Sequence, residues 1–155
     1  MTSQPTCPLC RADGGHLVVR AARWRVVLVD DADHPAFTRV IWNAPVAEMS
    51  DLDETARREL LDAVVRVESV QRAMLAPDKI NLASLGNQVP HLHWHVIPRW
   101  RDDRHFPNPV WAAARDDAQE QAALRSAVVR ARLDAYLAGL RRAFAGAITP
   151  AADKR

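Results

Sequence analysis

The run His91-Leu92-His93-Trp94-His95-Val96-Ile97 limits what this chain can fold into more than any other segment. Polar and apolar residues alternate through it with a period of two, the pattern of a half-buried β-strand. On such a strand the three imidazoles share one face, and Leu92, Trp94 and Val96 share the other. The apolar face can pack on a core while the imidazole face stays open to a ligand. Three of the six histidines in 155 residues crowd into these five positions. Near neutral pH an imidazole serves as a base, a nucleophile, a metal ligand or a hydrogen-bond donor. A row of them on a rigid strand is costly to explain as packing alone.

Strand geometry narrows the chemistry. Side chains at i and i+2 stand roughly 6.5–7 Å apart at Cα, which puts His91 about 13 Å from His95. Two neighbours could converge on one metal, but a straight strand does not easily bring all three together. A metal-dependent enzyme with a His-x-His pair would need a further His, Asp or Glu from elsewhere. His105 is the only late candidate. A phosphate-handling site asks less: one imidazole as nucleophile, with the others orienting it and meeting charge along an extended substrate.

The rest of the chain reads as one small domain, large enough for a proper core. A net charge of +2 with both signs interspersed gives no reason to expect a nucleic-acid or membrane partner. No apolar run is long enough to cross a bilayer and no leader pattern precedes residue 7, so a cytoplasmic protein is expected. Two cysteines, Cys7 and Cys10, exclude a disulfide framework beyond that one pair. Strands are expected at Leu17–Val19, Trp24–Val29, Phe37–Trp42, Ile80–Leu85 and Leu92–Ile97. Asp51 with Glu54 fits a capping box. The helix it opens carries an apolar stripe of Leu60, Leu61, Val64, Val67 and Met74, and Pro77 stops it. Ala118 to Phe144 has helical spacing at Leu133, Leu137, Leu140 and Phe144. Residues 1–6 look like a frayed terminus, and 149–155 a flexible tail. Between the last strand and that helix, residues 99–111 hold two Trp, one Phe, one His and three Arg. Prolines at 107 and 109 disfavour helix and ladder pairing there, so an ordered loop is expected.

His-x-His-x-His followed by two apolar residues resembles the motif of the histidine triad, or HIT, proteins. The likeness extends over about residues 7 to 100. It includes the strand with Val40-Ile41, the helix opened by Ser50-Asp51-Leu52, the strand-like run from Asn81, the lead-in Gly86-Asn87-Gln88-Val89-Pro90, and Pro98-Arg99. Asn81 to Gly86 and Asp103 to Trp111 look like a bacterial branch. The resemblance implies an α+β fold: a five-stranded antiparallel sheet with a long helix, here with an added C-terminal helix. That divides the chain into a catalytic domain at 1–112 and a helical extension at 113–148 packed on it. It also implies a homodimer that hydrolyses or transfers nucleotides.

Carried onto this sequence, the resemblance makes His93 the nucleophile toward an α-phosphorus. A covalent nucleotidyl-histidine forms and water then cleaves it. His95 and Asn81 are the expected donors to the transition-state oxygens, His91 orients His93, and Gln88 stands near the leaving group. Asp30 lies where an acidic residue grips ribose hydroxyls, although an Asp before Asp31 also suits a turn. Trp111 is a candidate to stack on a base or close the pocket, with Trp100, Phe106 and Trp111 as loop anchors the competing reading. Dinucleoside polyphosphates and nucleoside phosphoramidates both present a suitable α-phosphate. Many relatives bind zinc through Cys-x-x-Cys and two histidines. Cys7, Cys10 and His91 match, but Pro45 stands where one histidine would be, with His16 or His34 as conceivable substitutes. No cofactor is therefore expected to be required, and Cys7 and Cys10 are the candidates for any structural zinc. A nucleotide-binding module without turnover is the further alternative.

Overall fold

Trp24, Val26, Val40, Trp42 and Val96 all fall on one side of a five-stranded sheet, and two helices bury them. The computed structural model describes residues 7–147. A single helical turn, α1 (Pro8–Arg11), precedes β1 (His16–Arg20), β2 (Trp24–Leu28) and β3 (Thr38–Trp42). The long α2 (Glu54–Leu75) follows, then β4 (Lys79–Ala83), β5 (His93–Arg99), α3 (Gln119–Ala131) and α4 (Leu133–Ala143). The strand order is β1-β2-β3-β5-β4, every pairing antiparallel. The fold is the expected α+β architecture, with β5 between β3 and β4.

The alternation of each central strand sorts its side chains. Val26, Val40 and Val96, fully buried, meet Leu60, Ala63, Val64 and Val67 of α2. Burying each such aliphatic side chain is worth about 1.5–3 kcal/mol. The opposite face presents Arg25, Val27, Arg39, Ile41, His93 and His95. In register, His95 faces Arg39 and His93 faces Ile41.

The helix starts later than the sequence suggests. Asp53 caps α2, its carboxylate accepting from the Ala56 N–H at 2.8 Å. Asp51 belongs instead to a preceding turn, where it accepts from the Glu48 N–H at 3.2 Å. The buried Leu52 between them needs extended backbone (φ −85, ψ 146) to reach the core, which separates the two acids into different caps. Leu61, expected on the buried stripe, is 41% exposed, because the stripe follows its neighbour Leu60. Ala76 closes α2 in the left-handed region (φ 48) just before Pro77.

The C-terminal helix is two helices, broken at Arg132. A straight rod could not serve both contacts. On α3, Ser126 bonds the Asp33 carbonyl and Arg125 pairs with Asp102, while α4 lies along α2. There Gly139 allows close approach: a Cβ would stand 3.4 Å from Val70 Cγ1. Tyr136, Leu137, Leu140 and Phe144 of α4 share one core with the sheet and α2. Tyr136 Oη lies 2.8 Å from Thr38 Oγ1 and accepts from Gln71 Nε2 at 3.1 Å, tying α4, β3 and α2 together. The expected flexible tail, residues 149–155, and the frayed residues 1–6 lie outside the described residues. Among the described residues no helix is long and apolar enough to cross a membrane.

Candidate active site

His93 and His95 are successive same-face residues at the start of β5. His93 Nδ1 lies 2.6 Å from the main-chain oxygen of His91. A carbonyl only accepts, so Nδ1 carries the proton and Nε2 keeps its lone pair. Burial pushes the His93 pKa down, so the ring is neutral and Nε2 is nucleophilic. Its backbone is held in turn by Ser84, whose hydroxyl donates to the His93 carbonyl at 2.9 Å. The His95 ring stands 4.8 Å from that of His93, nearly perpendicular. Burial, then the charges of His93 and Arg39, push the His95 pKa down to about 3. Its ring is boxed by Phe37 at 5.3 Å and Trp111 at 5.0 Å.

His91 does something different from its neighbours. It precedes β5, anchored by the Leu92 N–H donating to the Val46 carbonyl and by the Trp42 N–H donating to the Leu92 carbonyl. Its Nε2–H donates to the Trp42 carbonyl at 2.7 Å, which leaves the Nδ1 lone pair facing Cys7 Sγ and Cys10 Sγ, each 3.4 Å away. The expected row of three open imidazoles is thus corrected. The strand begins only at His93, the His91 ring is committed to the cysteines, and all three rings are buried.

Cys7, Cys10 and His91 form a convergent set of metal-ligating atoms. Two thiols and an imidazole lone pair suit zinc, and α1 carries the cysteines on a turn anchored by the buried Arg25. Arg25 donates to the carbonyls of Leu9 (2.6 Å), Ala12 (3.3 Å) and Asp13 (2.9 Å) and to Asn43 Oδ1 (3.1 Å). The Cys10 thiol donating to the Cys7 sulfur raises its pKa, with burial adding to it. Pro45 is exposed and brings no fourth ligand atom. Of the conceivable substitutes, His34 is engaged elsewhere. Its Nε2 lies 2.9 Å from His105 Nδ1, in a second buried group with Asp103. That Asp103 already accepts two bonds from Arg99 (2.7 and 3.0 Å) and the N–H groups of His105 and Phe106. Among the described residues these two sets are the convergent groups of three or more metal-ligating side chains, and neither contains His93 or His95. The His-x-His metal-enzyme alternative finds no ligand set here.

Of the other expected site residues, Asn81 and Trp111 line one cavity of about 560 Å³ along β4, whereas Gln88 and Asp30 lie apart from it. Asn81 sits on β4 opposite Ile97, and its amide oxygen accepts from Arg99 Nη1 at 2.7 Å, leaving its NH2 as donor. Gln88 is exposed in the loop before the triad and makes no hydrogen bond among the described residues. Asp30 is exposed just past the end of β2, lining a cavity of about 410 Å³ with His16, Pro35, Arg130 and Leu133 and with no triad residue. Trp111, 51% exposed, reaches His95 from the loop that follows β5.

The HIT domain profile matches residues 14–102 of this chain. The chain belongs to the HIT family. Solved HIT proteins agree with the fold. A histidine triad protein from Bradyrhizobium japonicum is 27% identical (TM-score 0.65), the alignment covering 84% of this chain and 90% of the other. One from Marinobacter aquaeolei VT8 is also 27% identical (TM-score 0.63), covering 83% and 92%. A zinc-bound family member from Mycobacterium smegmatis shares the fold at 17% identity (TM-score 0.53), covering 81% and 96%. A search among curated proteins finds no match.

The HIT match ends before Trp111, so the aromatic that touches His95 comes from outside the matched segment. One polar neighbour of the triad is absent from the sequence reading: Arg39. The signal was available, because alternation along Thr38-Arg39-Val40-Ile41-Trp42 puts Arg39 on the face away from the core. Only the β3–β5 register reveals that this face is shared with His95. Phe37, which the sequence presents only as a strand residue, packs against both His95 and Trp111.

Proposed function

We propose that this HIT protein hydrolyses or transfers nucleotides at an α-phosphate through a covalent intermediate on His93. The substrates in view are nucleoside phosphoramidates and dinucleoside polyphosphates. One observation carries the reading: His93 Nδ1 is tied to the His91 carbonyl at 2.6 Å, which points an unprotonated Nε2 away from its own backbone. Nε2 attacks phosphorus, and an N–P bond forms as the bond to the leaving group breaks. The leaving group departs with that electron pair and takes its proton from solvent. Water then adds to phosphorus, the N–P electrons return to Nε2, and the water's proton is released. Splitting one displacement into two lowers each barrier. The Nε2–H of a neutral His95 and the NH2 of Asn81 are the donors toward the non-bridging oxygens. Gln88 serves the leaving group and Asp30 the ribose only if substrate draws their segments in.

Zinc takes no part in these steps. Cys7, Cys10 and His91 would hold it, and a bound ion would supply only structural cross-linking there. The protein works as a homodimer, a reading supported by the open edge of β4 and the exposed Leu61, Val65 and Leu82.

The test is trapping. Brief incubation with an adenosine phosphoramidate, followed by intact-mass measurement under alkaline quench, should show an adenylyl adduct that maps to His93. His93→Ala should lose turnover by several orders of magnitude while still binding AMP. Turnover within tenfold of wild type in that variant would falsify the assignment.

A further inference from the structure

Arg39 stands directly across the β3–β5 ladder from His95, on the face that carries the catalytic imidazoles. Its Nε–H donates toward His95 Nδ1 at 3.4 Å and its Nη1 toward the Gly14 carbonyl at 3.4 Å. The guanidinium carbon lies 5.7 Å from the centre of the Phe37 ring. Both hydrogen bonds are long, and five N–H donors share two acceptors.

Arg39 is held more loosely than the chain's other partly buried arginines, and Arg57 and Arg104, which also lack a carboxylate, donate to carbonyls at shorter range. Arg99 is paired with Asp103, Arg125 with Asp102 and Arg23 with Glu59. Arg25 has no carboxylate, but four oxygens receive it at 2.6–3.3 Å. Among the described residues no carboxylate pairs with Arg39. A half-buried guanidinium without an anion is a place where an anion belongs, and its planar fork matches phosphate oxygens.

We infer that Arg39 receives the non-bridging oxygens of the substrate phosphate and, through Nε–H, holds His95 in the tautomer whose Nε2–H faces that phosphate. The inference rests on the nucleotide reading above and deepens it by naming the group that meets the charge. Burial pushes the His95 pKa down to about 3, so that ring brings a dipole but no cation. Burial also lowers the Arg39 pKa, yet a guanidinium stays protonated at neutral pH. Arg39 is therefore the charge complement of the site, and toward His95 it is a positioning residue.

The experiment compares AMP with adenosine on wild type, Arg39→Gln and Arg39→Lys by calorimetry, with melting temperatures alongside. Arg39→Gln should weaken AMP by about ten- to a hundredfold, the range of a charge-assisted contact, and leave adenosine within twofold. Arg39→Lys should restore part of the AMP affinity, since charge returns without the fork. Nitrogen shifts of His95 should show an unprotonated Nδ1 in wild type and a tautomer mixture in Arg39→Gln. AMP affinity within threefold of wild type in Arg39→Gln overturns the inference. Equal loss of AMP and adenosine, unrelieved by Lys, also overturns it and makes Arg39 a packing residue. If wild type binds neither ligand and forms no adduct on His93, the nucleotide reading itself fails and takes this inference with it.

Discussion

The carbonyl of His91 lies 2.6 Å from Nδ1 of His93, two residues along the same chain, while the His91 ring turns to the two cysteines. One residue thus orients the His93 ring with its backbone and faces the two sulfurs with its side chain. The two centres are joined through a single residue, yet they call on different atoms of it.

That division separates metal from catalysis. Exhaustive chelation should leave the rate of phosphoramidate hydrolysis within about twofold, because no step passes through the cysteines. Cys7→Ser with Cys10→Ser should lower the melting temperature more than it lowers kcat. Stoichiometric zinc that survives dialysis against chelator, seen by elemental analysis, would show that another ligand substitutes for the one Pro45 lacks.

Acid should affect stability before it affects charge in the site. The folded-state pKa of His95, about 3, lies below its ordinary 6.5. Between those values the unfolded chain holds the extra proton, so His95 favours the fold fully above about pH 6.5, and that contribution is lost as pH falls toward 3. His93 is shifted in the same direction. With His95 neutral and His93 shifted the same way, log kcat/KM should show no break at the ordinary histidine pKa of 6.5. A decline centred near 6.5 would mean a triad ring titrates as if exposed.

Trp111 is exposed and rests against His95, whereas Trp100, 5% exposed, is core. Trp111→Ala should raise KM about three- to tenfold, the worth of an aromatic contact of roughly 0.5–1.5 kcal/mol, with little change in melting temperature. Arg104 is different: its Nε donates to the Arg115 carbonyl, and its own carbonyl accepts the Arg115 N–H, so Arg104→Ala should loosen the loop and cost stability. The loop's main anchor is the buried Arg99–Asp103 pair. Asp103→Ala strands a buried guanidinium and should cost about 3–5 kcal/mol in chemical denaturation. If Trp111→Ala melts early and keeps its KM, the ring is a strut.

The edge strand β4 carries unpaired backbone groups, and Leu61 and Val65 of α2 are exposed. Light scattering at micromolar concentration should give a dimer mass, and Leu61→Asp with Val65→Asp should halve it. A monomeric wild type would remove the homodimer from the account.

The order of residues alone was enough to name the elements and the family. A period of two named β3 and β5, a stripe at helical spacing named α2, and Pro77 ended it. Three alternating histidines marked the strand of the candidate site and, with the lead-in from Asn81, the family. These signals are local, carried by neighbours along the chain. Only the tertiary structure decided what depends on register and on distant segments. Arg39 looks like any strand arginine until β3 aligns it with His95. His91 looks like a third catalytic imidazole until α1, 81 to 84 residues away, brings its cysteines to Nδ1. Leu52 moves the cap from Asp51 to Asp53 because its side chain must reach the core. The 118–144 helix breaks at Arg132 because its two halves pack on different partners. In each case the deciding partner is remote in sequence, and no period or cap signal records it.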